Sequence, residues 1–538
     1  MAKNLTRNFE TAKKYGVHEI SLETQSGFGN PYLDVDFNII FYDPAGNRIK
    51  TEGFYDGKNI FKARAYCNKV GKWKWESRSS HSDLHNKSGD FQVVHSSLKG
   101  KLKINKKDPY QLQYDNGDWF LHLGDTGYRY LAAEEAYWKE YLEQAAASGI
   151  TKIRTWFCQG RSDIQALFGR GDKKERNRLN LNCWQEMDRR LIYGLNNYPD
   201  IIFQLIVFGE DGDEIRRYGE RNIISRLITK YAQARFSAFP NIYWTISNDH
   251  KILENDNGEL EPGLKKEGVP LARKEDINEI GEDMAEQEPW KTLLTNHQSR
   301  FTGFSFLNCD WADLVTLEDL GQVTGEKILE YRKKGRKPVI LDEDRYETHR
   351  SPENDRYFFR RLMWGVLLSG GHPTYGGLET YEYFDGDKRG LYGYYDACRE
   401  GKLEQGAHDF QYIHKFFEDT GINLINMVPA DEITGNRPLL YKVIGGKSQD
   451  RYIIYLANPD EYTGHNPDGF AGNYTDKYAD VSREVPQVKV DIDISSYKID
   501  WYQPFTGKWF ENEKIKDDKS GNILKAPGQG DWIVYLRR

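Results

Sequence analysis

The chain has 538 residues, of which 38% are hydrophobic, 29% charged and 14% aromatic; this excludes disorder as its dominant state, and 49 Gly and 18 Pro without a short period exclude a fibrous repeat. Set against 82 acidic side chains, 75 basic ones leave a net charge of −7 with no long Lys/Arg run, so nucleic acid is not an expected partner. The mean hydropathy is −0.77, and without a run of about eighteen apolar residues no membrane span is expected.

The opening MAKNLTRNFETAKKYG has no apolar core of the signal-peptide kind. The compartment stays open: secreted or periplasmic if a signal has been removed, otherwise cytoplasmic. From about Ser21 to Val94 the pattern has period two. Leu33, Val35, Phe37, Ile39 and Phe41 alternate with polar residues, which predicts a half-buried strand ending at the turn sequence DPAGN (43–47). Short strands are expected around 53–57, 61–66, 71–75 and 88–94, together a small antiparallel sandwich.

From about Asp108 to Asn426 short apolar runs alternate with longer amphipathic stretches. The runs lie at 119–126, 150–158, 201–209, 242–249, 292–297, 312–318, 338–343 and, more weakly, 372–377. Eight such strand–helix units fit a (β/α)8 barrel. The alternative, an open doubly wound sheet, calls for a glycine-rich phosphate turn after its first strand, and GDTGYR (124–129) is not one. β patterns return at 438–444, 452–458, 488–494 and 531–538, a second sandwich. The expected domains are 1–104, 105–428 and 429–538. Five widely spaced Cys without a CxxC pair argue against a disulfide framework or a zinc site.

In a (β/α)8 barrel the chemistry sits where the strands end. The polar residues there are Asp125 and Thr126, Arg154 with Trp156 beyond it, Glu210 and Asp211, Asn248 with Asp249 and His250, Asn296 and His297, Glu318 with Trp311 ahead of it, Asp342 to Asp344, and Tyr375. The set is acidic, amide-rich and aromatic. It contains no serine elbow, phosphate loop or HExxH. Cleavage of a glycosidic bond needs two carboxyls across one C–O bond, and rim acids on strands four and seven meet that need. Glu343 runs directly out of a buried strand; Asp249, following Asn248, is the matching acid on strand four, with a helix cap as its alternative role. HSDLH (81–85) and the Asp/Asn-rich 466–476 are weak metal candidates, so no metal is expected.

With NPY (30–32), GFYDG (53–57) and SGDF (88–91) ahead of FLHLGDTGYR (120–129), IYWTISND, PVILDEDRYE (338–347) and LLSGGHPTYG (367–376), then WYQPFTGKW (501–509) and APGQGDW (526–532), the chain resembles the apiosidase-like multidomain glycoside hydrolases of clan A. The resemblance spans nearly the whole chain in the right order. It implies an Ig-like N-terminal domain, a catalytic barrel, a C-terminal β-domain of the type once labelled "putative collagen-binding", and a retaining mechanism without cofactor. It also implies that Asp249, after Asn248, is the acid/base and Glu343 the nucleophile, with Glu347 second to it. Arg154 is then the expected partner of Glu343. Asn248 is expected on the hydroxyl beside the anomeric carbon, and Asp125, Trp156, His297, Trp311 and Tyr375 around the sugar.

Many clan A enzymes carry Glu as acid/base where this chain has Asp249, an Asp that apiosidase-like members share, and Asp344-Arg345 stands where relatives often carry Pro and a small residue. The competing readings are a non-catalytic glycan-binding protein on a hydrolase fold and a polysaccharide lyase. The expected partner is a carbohydrate of plant, algal or bacterial origin. The loops at 159–184 and 250–278 favour exo action. Sugar identity, glycan binding by the flanking domains and oligomeric state are not read from the sequence.

Overall fold

The computed structural model describes residues 11–131, 135–157, 167–168, 177–209, 212–248, 272–298, 303–319, 321–347, 355–377, 406–435, 441–460, 481–511 and 522–538. It divides into two compact units: Met1–Lys103 with Gln113–Asp118 and Thr155–Asp313, and Ile104–Leu112 with Trp119–Arg154 and Leu314–Arg538.

The first unit opens with two sheets, antiparallel except for the edge strand 11–13, which runs parallel to 88–94. One is ordered 11–13, 88–94, 71–79, 37–42, 48–52, and the other 17–23, 60–66, 54–55. Alternation sets their faces: Val17–Glu23 buries every second residue, as one-sided sheets do. Trp73, Phe41, Phe61 and Phe91 fill the space between them. Asp43 makes the predicted turn by accepting from the main-chain N–H of Ala45 and Asn47. The strand expected from Leu33 begins only at Phe37. Leu33 and Asp34 instead donate to the Asn30 carbonyl, and the Asp34 carboxylate takes the Asn30 N–H. This is an Asx-type local closure that competes with the ladder.

The eight predicted apolar runs form the parallel barrel strands β1 (Gly124–Thr126), β2 (Lys152–Trp156), β3 (Ile202–Ile206), β4 (Ile242–Thr245), β5 (Leu294–Thr295), β6 (Val315–Glu318), β7 (Val339–Glu343) and β8 (His372–Tyr375). Their hydrogen-bonded order is β5-β4-β3-β2-β1-β8-β7-β6. Asp313, just before β6, donates its N–H to the Leu294 carbonyl and accepts the Leu294 N–H on its carboxylate, stitching the open edge of β5. Strands β2, β3 and β7 are buried at every position, as parallel strands covered on both sides must be. The helices between them are α1 (Glu135–Ala147), α2 (Leu181–Asn197), α3 (Gly212–Gly219), α4 (Ile223–Phe236), α5 (Lys274–Gln287), α6 (Glu326–Lys334), α7 (Asp355–Leu368) and α8 (Phe410–Thr420). Among the described residues no helix is long and apolar enough to cross a membrane.

In the second unit a six-stranded antiparallel sheet, ordered 427–429, 441–446, 451–456, 532–537, 498–503, 508–511, follows the barrel strands. Trp501, Trp532, Val443 and Ile454 form its core. The run expected as a strand over 488–494 is one only at Gln487–Lys489 and ends in a 3-10 turn at Ile494–Ser496. Arg360 on α7 clamps the sheet with two parallel bonds to Asp531, both 2.8 Å.

Candidate active site

In the second unit, β2 and β7 carry four charges that close on one another. Arg154 Nη2 donates to Glu343 Oε2 at 2.5 Å, and Arg154 Nη1 donates to the Asp342 carbonyl at 3.0 Å. Lys152, two residues earlier and so on the same face of β2, donates its Nζ to Asp342 Oδ1. Lys152, Arg154 and Asp342 are fully buried, and Glu343 alone keeps an exposed edge, at 9%. Two cations against two anions make the cluster neutral, without which such burial would be prohibitive.

A strand alternates its side chains, so Asp342 and Glu343 should point to opposite faces. The β6–β7 register explains why both meet β2. Leu317 pairs with Leu341 and Glu318 with Glu343, leaving Asp342 as an extra residue. This bulge turns the chain where β7 ends, a common device next to active sites.

Two tyrosines complete the setting of Glu343. Tyr128 donates its hydroxyl to Glu343 Oε2 at 3.3 Å, and its ring lies 4.7 Å from the Arg154 guanidinium carbon. Tyr346 OH accepts from Arg154 Nη2 at 3.2 Å. Burial acts against the charge of Arg154, but the oxygens of Tyr128 and Tyr346 with the carboxylates of Glu343 and Asp342 outweigh it, so the guanidinium stays charged. Burial lowers Lys152 to about 8 against the pull of Asp342. Beneath them His122 donates from Nδ1 to the Pro373 carbonyl at 3.0 Å. Burial first, then the nearby Lys152, holds this ring well below the ordinary histidine range and therefore neutral.

Asp125 is fully buried and accepts the Tyr141 hydroxyl at 2.6 Å. Burial raises its carboxyl to about 8 even against that bond, so at neutral pH it is largely protonated. Tyr375 is also buried, with its ring edge-on to Phe359 at 4.6 Å and its hydroxyl donated to Glu347. Glu347 takes the Gly406 N–H at 2.8 Å as well, whereas Glu343 takes Arg154. The structure thus gives the two carboxylates of this segment different partners. Asp344 accepts from the N–H groups of Gly321 and Gln322, and burial raises it to about 6 despite Arg345 beside it.

The remaining expected residues lie in the first unit. Asn248 donates its N–H to the Gly209 carbonyl at 2.9 Å, and the Trp156 ring lies against Gly209. His297 donates its N–H to the Ser247 carbonyl at 3.3 Å, and Asn296 Oδ1 takes the Ser247 hydroxyl at 2.7 Å. These residues hold the ends of β3, β4 and β5 together. Trp311 packs against Gly281 of α5 and donates its indole N–H to Asn278 at 2.8 Å. Asp249, Glu210, Asp211 and the 466–476 segment lie outside the described residues.

Arg154 and Glu343, expected partners from the sequence, are brought together in the structure. Lys152, Tyr128 and Tyr346 have no role predicted from the sequence. A lysine inside the apolar run ITKIRTW was the available signal for the first, because a buried cation demands a buried anion.

A family model described as "Apiosidase-like, catalytic domain" matches residues 106–423, and one for a domain of unknown function (DUF5060) matches 11–80. Among solved structures, a Bacteroides vulgatus protein described provisionally as a glycoside hydrolase is 18% identical, with 98% of this chain and 99% of that one covered at a TM-score of 0.70. A glycoside hydrolase family 5 protein from the same species is 16% identical, covering 82% and 93% at 0.58. A further structure named only as a glycoside hydrolase is 17% identical, covering 82% and 97% at 0.57. No curated protein matches the chain.

Proposed function

We propose a retaining cleavage for this chain, which belongs to the apiosidase-like family over residues 106–423 and is a glycoside hydrolase. Glu343 attacks the anomeric carbon while Asp249 protonates the leaving oxygen. The glycosyl-enzyme is then hydrolysed by water that ionised Asp249 activates, so configuration is retained. The observation that carries this reading is the Arg154–Glu343 contact where β7 ends. A nucleophile must stay ionised, and a buried guanidinium 2.5 Å away favours the anion. Tyr128 adds a donor to the same oxygen, and its bond must loosen as that oxygen gives up its charge to carbon. Asn248, whose main chain donates to Gly209, is in this reading the residue that binds the hydroxyl beside the anomeric carbon. The substrate is an oligosaccharide or polysaccharide of plant, algal or bacterial origin, cut from its end.

The test is a screen of plant and algal glycans and aryl glycosides with wild type, Glu343→Ala and Asp249→Ala. Release by wild type, lost in both variants, is expected. Azide should restore turnover in each through a glycosyl azide, of inverted configuration for Glu343→Ala and retained for Asp249→Ala. Equal activity in wild type and Glu343→Ala would overturn the assignment of the nucleophile.

A further inference from the structure

Arg154 faces a choice of anions. Its Nη2 lies on Glu343, while its Nη1, already on the Asp342 carbonyl, is 3.6 Å from Asp342 Oδ2. A guanidinium prefers two parallel bonds to one carboxylate, so Asp342 competes with Glu343 for this fork. What faces the other edge of Asp342 is Lys152, whose Nζ holds Oδ1 and also donates to Thr374 Oγ1 at 3.3 Å. Strand β1 makes room for this arrangement: a Cβ at Gly124 would stand 2.6 Å from Thr374 Oγ1 and 3.1 Å from Lys152 Cδ.

We propose that Lys152 and Asp342 are a positioning pair for Glu343: the lysine occupies one edge of the Asp342 carboxylate and thereby leaves the Arg154 fork to the nucleophile. The proposal rests on Glu343 being that nucleophile for its meaning in catalysis, but not for its electrostatics. The bulge supplies the geometry, since without it Asp342 would turn away from β2. Neither Lys152 nor Asp342 touches substrate; both act through Arg154.

In the absence of Lys152, Asp342 is left as an excess buried anion and draws Arg154 toward a two-bond grip. Glu343 then holds its proton more tightly. Among the described residues the other titratable or charged groups around it are Tyr128 after β1, Asp344, Arg345 and Tyr346 on its own segment, Glu318, its register partner on β6, and Asp319, whose N–H donates to the Glu343 carbonyl. All of these remain in the variants.

The experiment follows the Glu343 carboxyl directly, by carbon-13 NMR of glutamate labelled at the side-chain carboxyl, with the resonance assigned by its loss in Glu343→Gln. In Lys152→Met the titration midpoint is expected to rise by about one unit, tenfold in proton affinity. In Lys152→Met/Asp342→Asn, where neutrality returns, it should fall back to the wild-type value. Where a substrate is in hand, the acidic limb of kcat/KM should move with the midpoint while KM stays put. Should Lys152→Met not fold, Thr374→Val loosens the lysine without removing a charge, and a smaller rise is expected. An unchanged midpoint in a folded Lys152→Met or Thr374→Val protein overturns the proposal. A midpoint that shifts as expected while Glu343→Ala stays active would instead sink the nucleophile assignment and leave the electrostatic pair standing.

Discussion

Replacing Arg154 tests the site at the contact on which the functional reading depends. Arg154→Lys keeps a charge but loses the fork, and one ammonium cannot reproduce both the 2.5 Å bond to Glu343 and the 3.0 Å bond to the Asp342 carbonyl. A charge-assisted hydrogen bond contributes about 1.5–3 kcal/mol. Both partners here are shielded from solvent, with Arg154 at 0% and Glu343 at 9% exposure. A loss near 2 kcal/mol is therefore expected in kcat/KM, roughly thirtyfold. Arg154→Met removes the charge as well and leaves Glu343 with the longer Tyr128 bond. That is the broken buried pair, at about 3–5 kcal/mol, and activity should fall by about a thousandfold at neutral pH. The assay is kcat and KM against pH on the glycoside found by the screen, beside a thermal melt of each variant. The two effects should be ordered Met below Lys, and Arg154→Met should lose activity least steeply at high pH, where Glu343 ionises unaided. Arg154→Met retaining more than about a third of wild-type kcat/KM, with Glu343→Ala inactive, would refute the claim that this cation sustains the nucleophile.

Two further variants probe buried charge elsewhere in the same unit. Asp125 has a folded-state carboxyl raised to about 8, so its contribution to stability is fully present below the unfolded value near 3.8 and is lost as pH rises through about 8. Asp125→Asn should abolish that fall, on the order of a few kcal/mol, in urea titrations at pH 5 and pH 8.5; parallel pH profiles for the two proteins would contradict it. Arg360→Met strands Asp531, which keeps the Tyr455 hydroxyl at 2.9 Å but loses both guanidinium bonds. A cost of about 3–5 kcal/mol, hence a melting temperature lower by about 5–9 °C, is expected. Adding Asp531→Asn should return part of it, and a drop below about 2 °C would show the clamp to be dispensable.

The barrel was legible in the sequence because its strands are buried on both faces. Each apolar run, from WFLHLGDT to HPTYGG, contains a strand, although several shrink to two to five residues inside longer runs: 292–297 holds only Leu294–Thr295. Apolar content marks burial, and burial extends beyond the last residue of β4 into Ile246 to Asn248, which are packed and bonded to the neighbouring strand ends. The sandwich strand at Leu33 failed for the converse reason. Period two was present in the sequence, but an Asn30–Asp34 side-chain closure took the backbone first.

The site was half legible, and the missing half has one physical origin. Reading the last polar residue of each run finds Glu343 and Arg154, since both are charges at the ends of buried strands. It cannot find Asp342 as a member of the same cluster, because strict alternation sends adjacent residues to opposite faces and Glu343 already claims the inner one. Only the register break opposite Leu317 and Glu318 brings both acids to β2, and a bulge without glycine leaves no mark in composition. The second cation was the visible clue. Lys152 and Arg154 share a face of β2 by period two, and two buried cations require two buried anions. One acid at the end of β7 could not balance them; the LDED run supplied two, and the neutral cluster is what fixes the conformation of the chain there.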